Sequence, residues 1–316
     1  MTTFINLKNT LTREIPAFCV YGNDRWLKLK AVANICAAYN VQQDFGVDRL
    51  DSPTYKQIAE SCCTPTLFGE KKLVLCENFV FPQGRQSAET CESLTKLIGS
   101  CDGSFCLVFV ADSLVGFDKI KNLEAVCCDK LDTGTIVKWI VAFAKKQGVS
   151  VDATCARKIA DYCLQDMSRV ETETQKLIDY GEVTVEAVDA LVHKDTEYVV
   201  FNLSKTICDK NANAAIQLYK GLIASGEEAR GLFGLLYNFY RRAYYAKTSD
   251  APTESLAQLL GVKPFAVERA KEIATRYKPM QLKRILDCFD KADVLLKAFL
   301  DENEVMTTLI LQIVSI

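Results

Sequence analysis

The feature that most constrains this chain is a change of pattern near residue 132. Before it, short apolar runs alternate with segments of helical spacing; after it, helical spacing continues alone to the C-terminus. Ala17-Phe-Cys-Val-Tyr21, Lys72-Leu-Val-Leu-Cys76 and Phe105-Cys-Leu-Val-Phe-Val110 are too short for helices and read as buried strands. The first ends at Gly22-Asn23-Asp24, a turn and helix cap. Trp26, Leu27, Val32, Ile35 and Cys36 then recur at three- and four-residue spacing, which predicts a helix to about Tyr39. Similar patterns run from Tyr55 to Cys62 and from Gln86 to Ile98. Strands alternating with helices bury a sheet on both faces, so a three-layer α/β domain is predicted.

In the second part, Asp132-Thr133 caps a helix carrying Ile136, Val137, Ile140 and Phe143, which stops at Gln147-Gly148. Asp152 caps the next, with Cys155, Ile159 and Cys163; a third runs from about Asp166 to Tyr180, and Thr184 opens a short fourth. From about Tyr198 five or six more helices follow, broken at Asn211, Gly226, Pro252, Gly261-Pro264 and Pro279. The predicted fold class is α/β plus all-α. A sheet domain over residues 1–140 precedes a small helical domain over 141–198 and a C-terminal helical domain over 199–316.

Composition removes several function classes. Lys+Arg 38 against Asp+Glu 40 argues against a chain whose main work is coating nucleic acid, although a local basic face is allowed. No segment approaches the ~18 apolar residues of a membrane span. The N-terminal residues show no basic stretch followed by an apolar run, which predicts a cytoplasmic protein. Many of the 14 cysteines sit inside apolar runs, as at Phe18-Cys19-Val20, and read as reduced, buried small hydrophobes. Without a Cys-x-x-Cys, and with His193 as the single histidine, neither a metal site nor a histidine general base is expected. His193 reads as a surface or helix-end residue.

The turn after the first strand is where a nucleotide-binding sheet domain holds phosphate. A P-loop reads G-x-x-x-x-G-K-[ST], its glycines freeing backbone N–H groups while Lys and a hydroxyl hold charge and Mg²⁺. Counting from Gly22, Lys28 is in place, but Leu27 replaces the second Gly and Leu29 the hydroxyl. This degenerate P-loop predicts no nucleotide cofactor, and Lys28 reads as a solvated helix residue.

The other feature is Thr64-Pro65-Thr66-Leu67-Phe68-Gly69-Glu70, bracketed by Pro65 and Gly69 between a helix and a strand. Two large apolar residues on such a turn either pack inward as core or plug into a partner. From the residues alone, core is the ordinary reading.

Several segments in order change that balance. Asp24 to Tyr39 as a helix after Tyr21-Gly22, then Thr66-Leu67-Phe68-Gly69-Glu70-Lys71-Lys72-Leu73-Val74, resembles the delta subunit of the bacterial DNA polymerase III clamp loader. Glu173-Thr-Gln-Lys176-Leu177 ending in Tyr180 is similar to that family's lid helix, and Val200-Phe201-Asn-Leu203 to its approach to the collar. Tyr237-Asn-Phe239-Tyr-Arg241-Arg242, Leu260-Gly261-Val-Lys-Pro264-Phe265 and Ala292-Asp293-Val-Leu-Leu-Lys297 are similar to its collar helices.

The resemblance implies an AAA+-like sheet domain, a helical lid and a helical collar used for oligomerisation. It implies a subunit that binds and opens the ring-shaped sliding clamp for loading onto primed DNA, within a pentamer whose sister subunits use ATP. No catalysis is implied for the subunit itself, although the DNA polymerase III holoenzyme is as an assembly a DNA-directed DNA polymerase. Implied partners are the sliding clamp (beta subunit), the tau/gamma and delta prime loader subunits through the collar, and primed DNA. The family's clamp-contacting Leu-Phe pair falls on Leu67 and Phe68, with Thr66 beside it. Two other readings stand beside this one: an active AAA+ ATPase with an atypical P-loop, and a helical interaction scaffold in which Leu67 and Phe68 are core.

In the last domain, Leu282, Ile285, Leu286, Phe289, Ala292, Leu296, Phe299 and Leu300 form an apolar stripe, and Asp293 is spaced for an ion pair with Lys297. Arg241 and Arg242 with Tyr244 and Tyr245 are a candidate DNA contact, cations interleaved with aromatics. The same spacing fits a half-buried helix with packed tyrosines and solvated arginines.

Overall fold

Alternate residues of one strand point to opposite faces of a sheet, and the strand Ala17–Tyr21 (β2) shows that alternation with apolar side chains on both faces. In the computed structural model, Ala17, Cys19 and Tyr21 lie in one core, while Phe18 and Val20 lie in another. The structure describes residues 2–41, 46–65, 71–262, 264–298 and 301–316. Two compact units are present, Met1–Ile136 and Val137–Ile316.

The first unit is a parallel sheet. Its strands are Thr2–Thr3 (β1), β2, Val47–Asp51 (β3), Lys72–Glu77 (β4), Phe105–Ala111 (β5) and Leu123–Cys127 (β6), in spatial order β1-β6-β2-β5-β4-β3. Parallel neighbours need crossovers, and helices supply most of them: Arg25–Ala38 (α2), Tyr55–Cys63 (α3) and Arg85–Gly99 (α4). The short Leu7–Thr10 (α1) and α2 cover one face, with Leu7, Leu27, Ala31 and Ile35 fully buried against β2, β4 and β5. From α3 and α4, Ile58 and Leu94 cover the other. The chain leaves β2 toward the β3 edge and later returns to β6 on the opposite side of β2. The carboxyl end of β2 is therefore a topological switch point, the usual place for a ligand crevice in an open α/β sheet.

Three strands were not legible as apolar runs. β3 reads Val-Asp-Arg-Leu-Asp and is an edge strand paired only with β4, so none of its residues is fully buried. β6 carries Glu124, whose carboxylate accepts a hydrogen bond from Thr2 Oγ1 at 2.6 Å. The two-residue β1 is too short for any pattern.

Local caps start the helices as the sequence requires. Asp24 accepts from Leu27 N to open α2, and Thr54 with Gln57 forms a full capping box on α3. Thr133–Lys146 (α5) contains the boundary between the units. In the second unit, Ala153–Tyr162 (α6), Met167–Tyr180 (α7) and Val185–Leu191 (α8) pack on one another and begin at Asp152, Asp166 and Thr184.

Among the described residues seven helices follow: Thr196–Cys208 (α9), Ala212–Ala224 (α10), Ala229–Thr248 (α11), Thr253–Leu260 (α12), Pro264–Ala274 (α13), Pro279–Lys297 (α14) and Glu302–Val314 (α15). The sequence reading of five or six missed the stop between α14 and α15, because the apolar stripe runs through it; Asp301 restarts the chain by accepting from Glu304 N. Leu282, Ile285, Phe289, Ala292 and Leu296 are buried in one core with residues of α9, α10, α11 and α15, while Leu286 packs against it. Phe299 and Leu300 lie outside the described residues.

All 14 cysteines are free thiols, and burial pushes the Cys19 thiol up to about 12, which makes it a poor nucleophile. Among the described residues, no helix is long and apolar enough to cross a membrane, and no group of three or more His, Cys, Asp or Glu is placed to hold a metal.

Candidate functional site

A crevice of about 1100 Å³ opens at the carboxyl ends of β4 and β5, lined in part by Asn23, Lys28, Arg49, Glu77 and Asp112. In a nucleotide-binding relative of this architecture, the loop after β2 would wrap phosphate here with free N–H groups. In this chain the loop is closed by the chain's own oxygens. Asn23 N donates to Asp129 Oδ1 at 3.2 Å, Asp24 N to the Cys128 carbonyl at 3.1 Å and Leu27 N to Asp24 Oδ1 at 3.0 Å. Asn23 Oδ1 in turn accepts from Lys130 N at 3.1 Å.

Gly22 permits this closure. Its φ is +132°, and a Cβ there would stand 2.5 Å from the Cys128 carbonyl carbon and 2.7 Å from Asp129 N. Lys28 departs from the solvated role predicted for it. Its side chain is 14 % exposed, and Nζ donates to Asp112 Oδ1 at 2.9 Å and to the Ala111 carbonyl at 3.3 Å, capping the end of β5. The ammonium that a P-loop directs to phosphate is here tied to the sheet. Nothing in the spacing of Gly22 and Lys28 announces these partners, which lie more than eighty residues away.

Thr66, Leu67 and Phe68 lie outside the described residues, and the structure therefore tests nothing about them. Their flanks are described. Cys63, Thr64 and Pro65 are exposed at the end of α3, as is Lys71 before β4. The base beneath is fixed by a small polar network. Ser61 Oγ donates to Asp48 Oδ2, Lys72 Nζ stands 3.1 Å from the same oxygen, and Lys72 Nζ also donates to the Ser61 carbonyl at 3.0 Å. The Ser61 hydroxyl, and after it Lys72, hold the Asp48 carboxyl below the usual aspartate range. Lys71 pairs with Glu14 at 2.5 Å. The end of α3 and the start of β4 are thus locked to β3 and to each other.

The four residues named for DNA divide between two environments. Arg241 is exposed and its guanidinium lies 5.7 Å from the ring centre of Tyr245, which is 37 % exposed. Tyr244 is half-buried against the helical core. Arg242 is not solvated: it is 6 % exposed and forms a bidentate pair with Glu197, Nη1 to Oε1 at 2.9 Å and Nη2 to Oε2 at 2.7 Å. Burial removes it from the DNA-facing set. Glu197 was not singled out from the sequence, since an acid in a helix's first turn reads as a dipole partner. The Asp293–Lys297 pair forms as spaced, at 2.6 Å, and His193 is exposed after α8.

Comparison with known sequences decides the family. The profile described as DNA polymerase III, delta subunit, matches residues 18–129, and that of the DNA polymerase III delta subunit, C-terminal domain, matches residues 197–313. The chain belongs to the DNA polymerase III delta-subunit family. The family's DNA polymerase III subunit delta from Bacillus subtilis (strain 168) is 23 % identical over 319 residues, covering 94 % of this chain and 92 % of that protein. Among solved structures, the Bacillus subtilis DNA clamp loader delta protein superposes with a TM-score of 0.75 at 20 % identity, over 99 % of this chain and 100 % of that one. The fold is accordingly that of the delta family: an AAA+-like sheet unit with a degenerate P-loop, followed by helices.

Proposed function

We propose that this delta-family chain is the part of a DNA replication clamp loader that binds the ring-shaped sliding clamp and opens it for loading onto primed DNA, without hydrolysing ATP. The observation that carries the last clause is the closed loop after β2, in which the Asn23, Asp24 and Leu27 N–H groups and the Lys28 ammonium are already engaged by Asp129, Cys128, Asp24 and Asp112. A phosphate would have to displace bonds the fold already makes. Family membership supports the rest.

In this reading, residues 1–140 form the AAA+-like domain that carries the clamp-binding segment, 141–198 the lid and 199–316 the collar. The collar meets the tau/gamma and delta prime subunits, and the chain works in the cytoplasm. Leu67 and Phe68 enter an apolar pocket on the clamp, with Thr66 beside them. Burying each is worth about 1.5–3 kcal/mol, or ~3–6 kcal/mol for the pair. That is enough to anchor. Opening needs a preference as well, because a ligand shifts a two-state equilibrium only by its differential affinity for the two states. The locked ends of α3 and β4 support a rigid lever behind the anchor. Of the residues named for DNA, Arg241 and Tyr245 are those whose exposure fits a contact.

The test is binding of the purified chain to its sliding clamp, with wild type beside a Leu67→Ala/Phe68→Ala variant whose melting temperature is first shown to be unchanged. Tight binding lost in the folded variant is the expected result. A wild-type chain that binds monomeric or pre-opened clamp no better than closed clamp would contradict the opening role. A large fall in melting temperature would return the pair to the core.

A further inference from the structure

Residues 192–195 join α8 to α9, and one carboxylate there faces both ways. Asp195 Oδ1 caps α9 by accepting from Glu197 N at 2.9 Å, while Oδ2 pairs with Arg169 of α7. The same guanidinium donates from Nη2 to the His193 carbonyl at 3.0 Å, so Arg169 spans the joining segment. Asp195 N in turn donates to the Tyr162 carbonyl at the end of α6, at 3.0 Å. On one side of this joint, Tyr162 Oη and Lys158 Nζ both donate to Asp189 and tie α6 to α8. On the other, the pair of Glu197 with buried Arg242 fixes the first turn of α9 to α11.

Each side is therefore firm, and the joint between them has little apolar support. Among the described residues, the core of α9–α15 is built from Val199 onward and takes no side chain from α6, α7 or α8. Tyr162 and Tyr198 meet across the joint with ring centres 4.9 Å apart. A packed core resists tilting in every direction, whereas a few bonds at one segment resist it only while they are made.

We propose that Arg169 is a latch that fixes the angle between α6–α8 and α9–α15. With the latch closed, its guanidinium holds the Asp195 carboxylate and the His193 carbonyl together, and the two groups of helices move as one body. With it open, residues 192–195 swivel about the bond from Asp195 N to Tyr162. The pair is suited to reversible use. The side chains of Arg169 and Asp195 are 29 % and 30 % exposed, so water can take over their bonds when they part. Arg242, at 6 % exposed, has no such release.

The full chain carries two spin labels on non-canonical residues at Glu186 of α8 and Gln217 of α10, both exposed, because 14 cysteines rule out thiol labelling. One narrow distance distribution is expected for the otherwise unchanged chain. Arg169→Ala should add a second, wider component while circular dichroism shows both groups of helices folded. Asp195→Asn should do the same, because Asn caps α9 as well as Asp does but turns an amide NH₂ toward the guanidinium. In both variants the Asp195 amide should exchange with solvent about tenfold faster. Arg157→Ala, which removes a surface pair within α6, should change neither readout. Variants as narrow as the parent would overturn the latch and leave the angle to the cap and the tyrosine rings. A parent distribution already as wide as the variants' would overturn it too, since the pair would then be open in solution. Because Asp195→Asn keeps the cap, the test stands even if Arg169→Ala does not fold. No clamp is present in the experiment, so this result and the clamp-loader reading fail separately.

Discussion

Substituting Gly22 by Ala tests whether the loop after β2 is closed as described. Two separable costs are involved. The φ of +132° is strained for any L-residue, at about 1–3 kcal/mol. The added Cβ would also meet the Cys128 carbonyl carbon at 2.5 Å and its oxygen at 2.6 Å, both backbone atoms next to β6. Relieving such a contact by moving packed backbone costs a further ~1–3 kcal/mol. The sum is about 2–6 kcal/mol, a large part of the 5–15 kcal/mol by which a typical domain is stable. Gly103 supplies the control, with φ +90° and nothing within 4 Å of an added Cβ, so Gly103→Ala carries the backbone cost alone. Urea unfolding followed by Trp26 fluorescence in a Trp139→Phe background reports on the sheet unit, since these are the chain's two tryptophans. Gly22→Ala should lose at least ~1 kcal/mol more than Gly103→Ala. Equal losses would mean that β6 does not press on the loop, and the argument for a filled phosphate site would go with it.

Three other outcomes follow from the geometry. Glu197→Ala leaves the Arg242 guanidinium buried without its partner and should destabilise by about 2–4 kcal/mol, less than a fully buried pair because Glu197 is a third exposed; a loss under ~0.5 kcal/mol in urea unfolding would show that Arg242 escapes to solvent. Calorimetry should detect no saturable Mg²⁺-ATP binding below ~1 mM, and Lys28→Ala should cost under ~1 kcal/mol of stability because Asp112 is 98 % exposed; measurable turnover that disappears in Lys28→Ala would establish an ATPase instead. The Asp48 carboxyl is depressed by Ser61 and Lys72, so its contribution is present above the unfolded aspartate value of about 4 and is lost as pH falls through the folded value. Asp48→Asn should therefore flatten the fall of melting temperature on the acid side while leaving the trend above about pH 5 unchanged, and a parallel acid limb would contradict the assignment.

Legibility followed the range of the interactions. Helix starts at Asp24, Asp152, Asp166 and Thr184 were readable because the capping bond closes within three residues. β2, β4 and β5 were readable because central parallel strands need apolar side chains on both faces, which leaves a run with no alternation. The edge strand β3 carries no such demand and was missed. At the candidate sites, the departures of Leu27 and Leu29 from the P-loop pattern were plain in the sequence; the turn itself marked Leu67 with Phe68, and family resemblance alone favoured a partner over the core for them.

The chain alone thus determined its change from α/β to all-α, most of its helix boundaries and the absence of a standard phosphate loop, all properties of neighbouring residues. Tertiary structure decided what the same residues touch. Gly22 owes its identity to Cys128, Lys28 is held by Asp112, and Arg242 is withdrawn from solvent by Glu197 forty-five positions earlier in the chain. No periodicity encodes such pairs. Periodicity records which face of an element is buried, whereas the partner on that face is set by how distant elements come together.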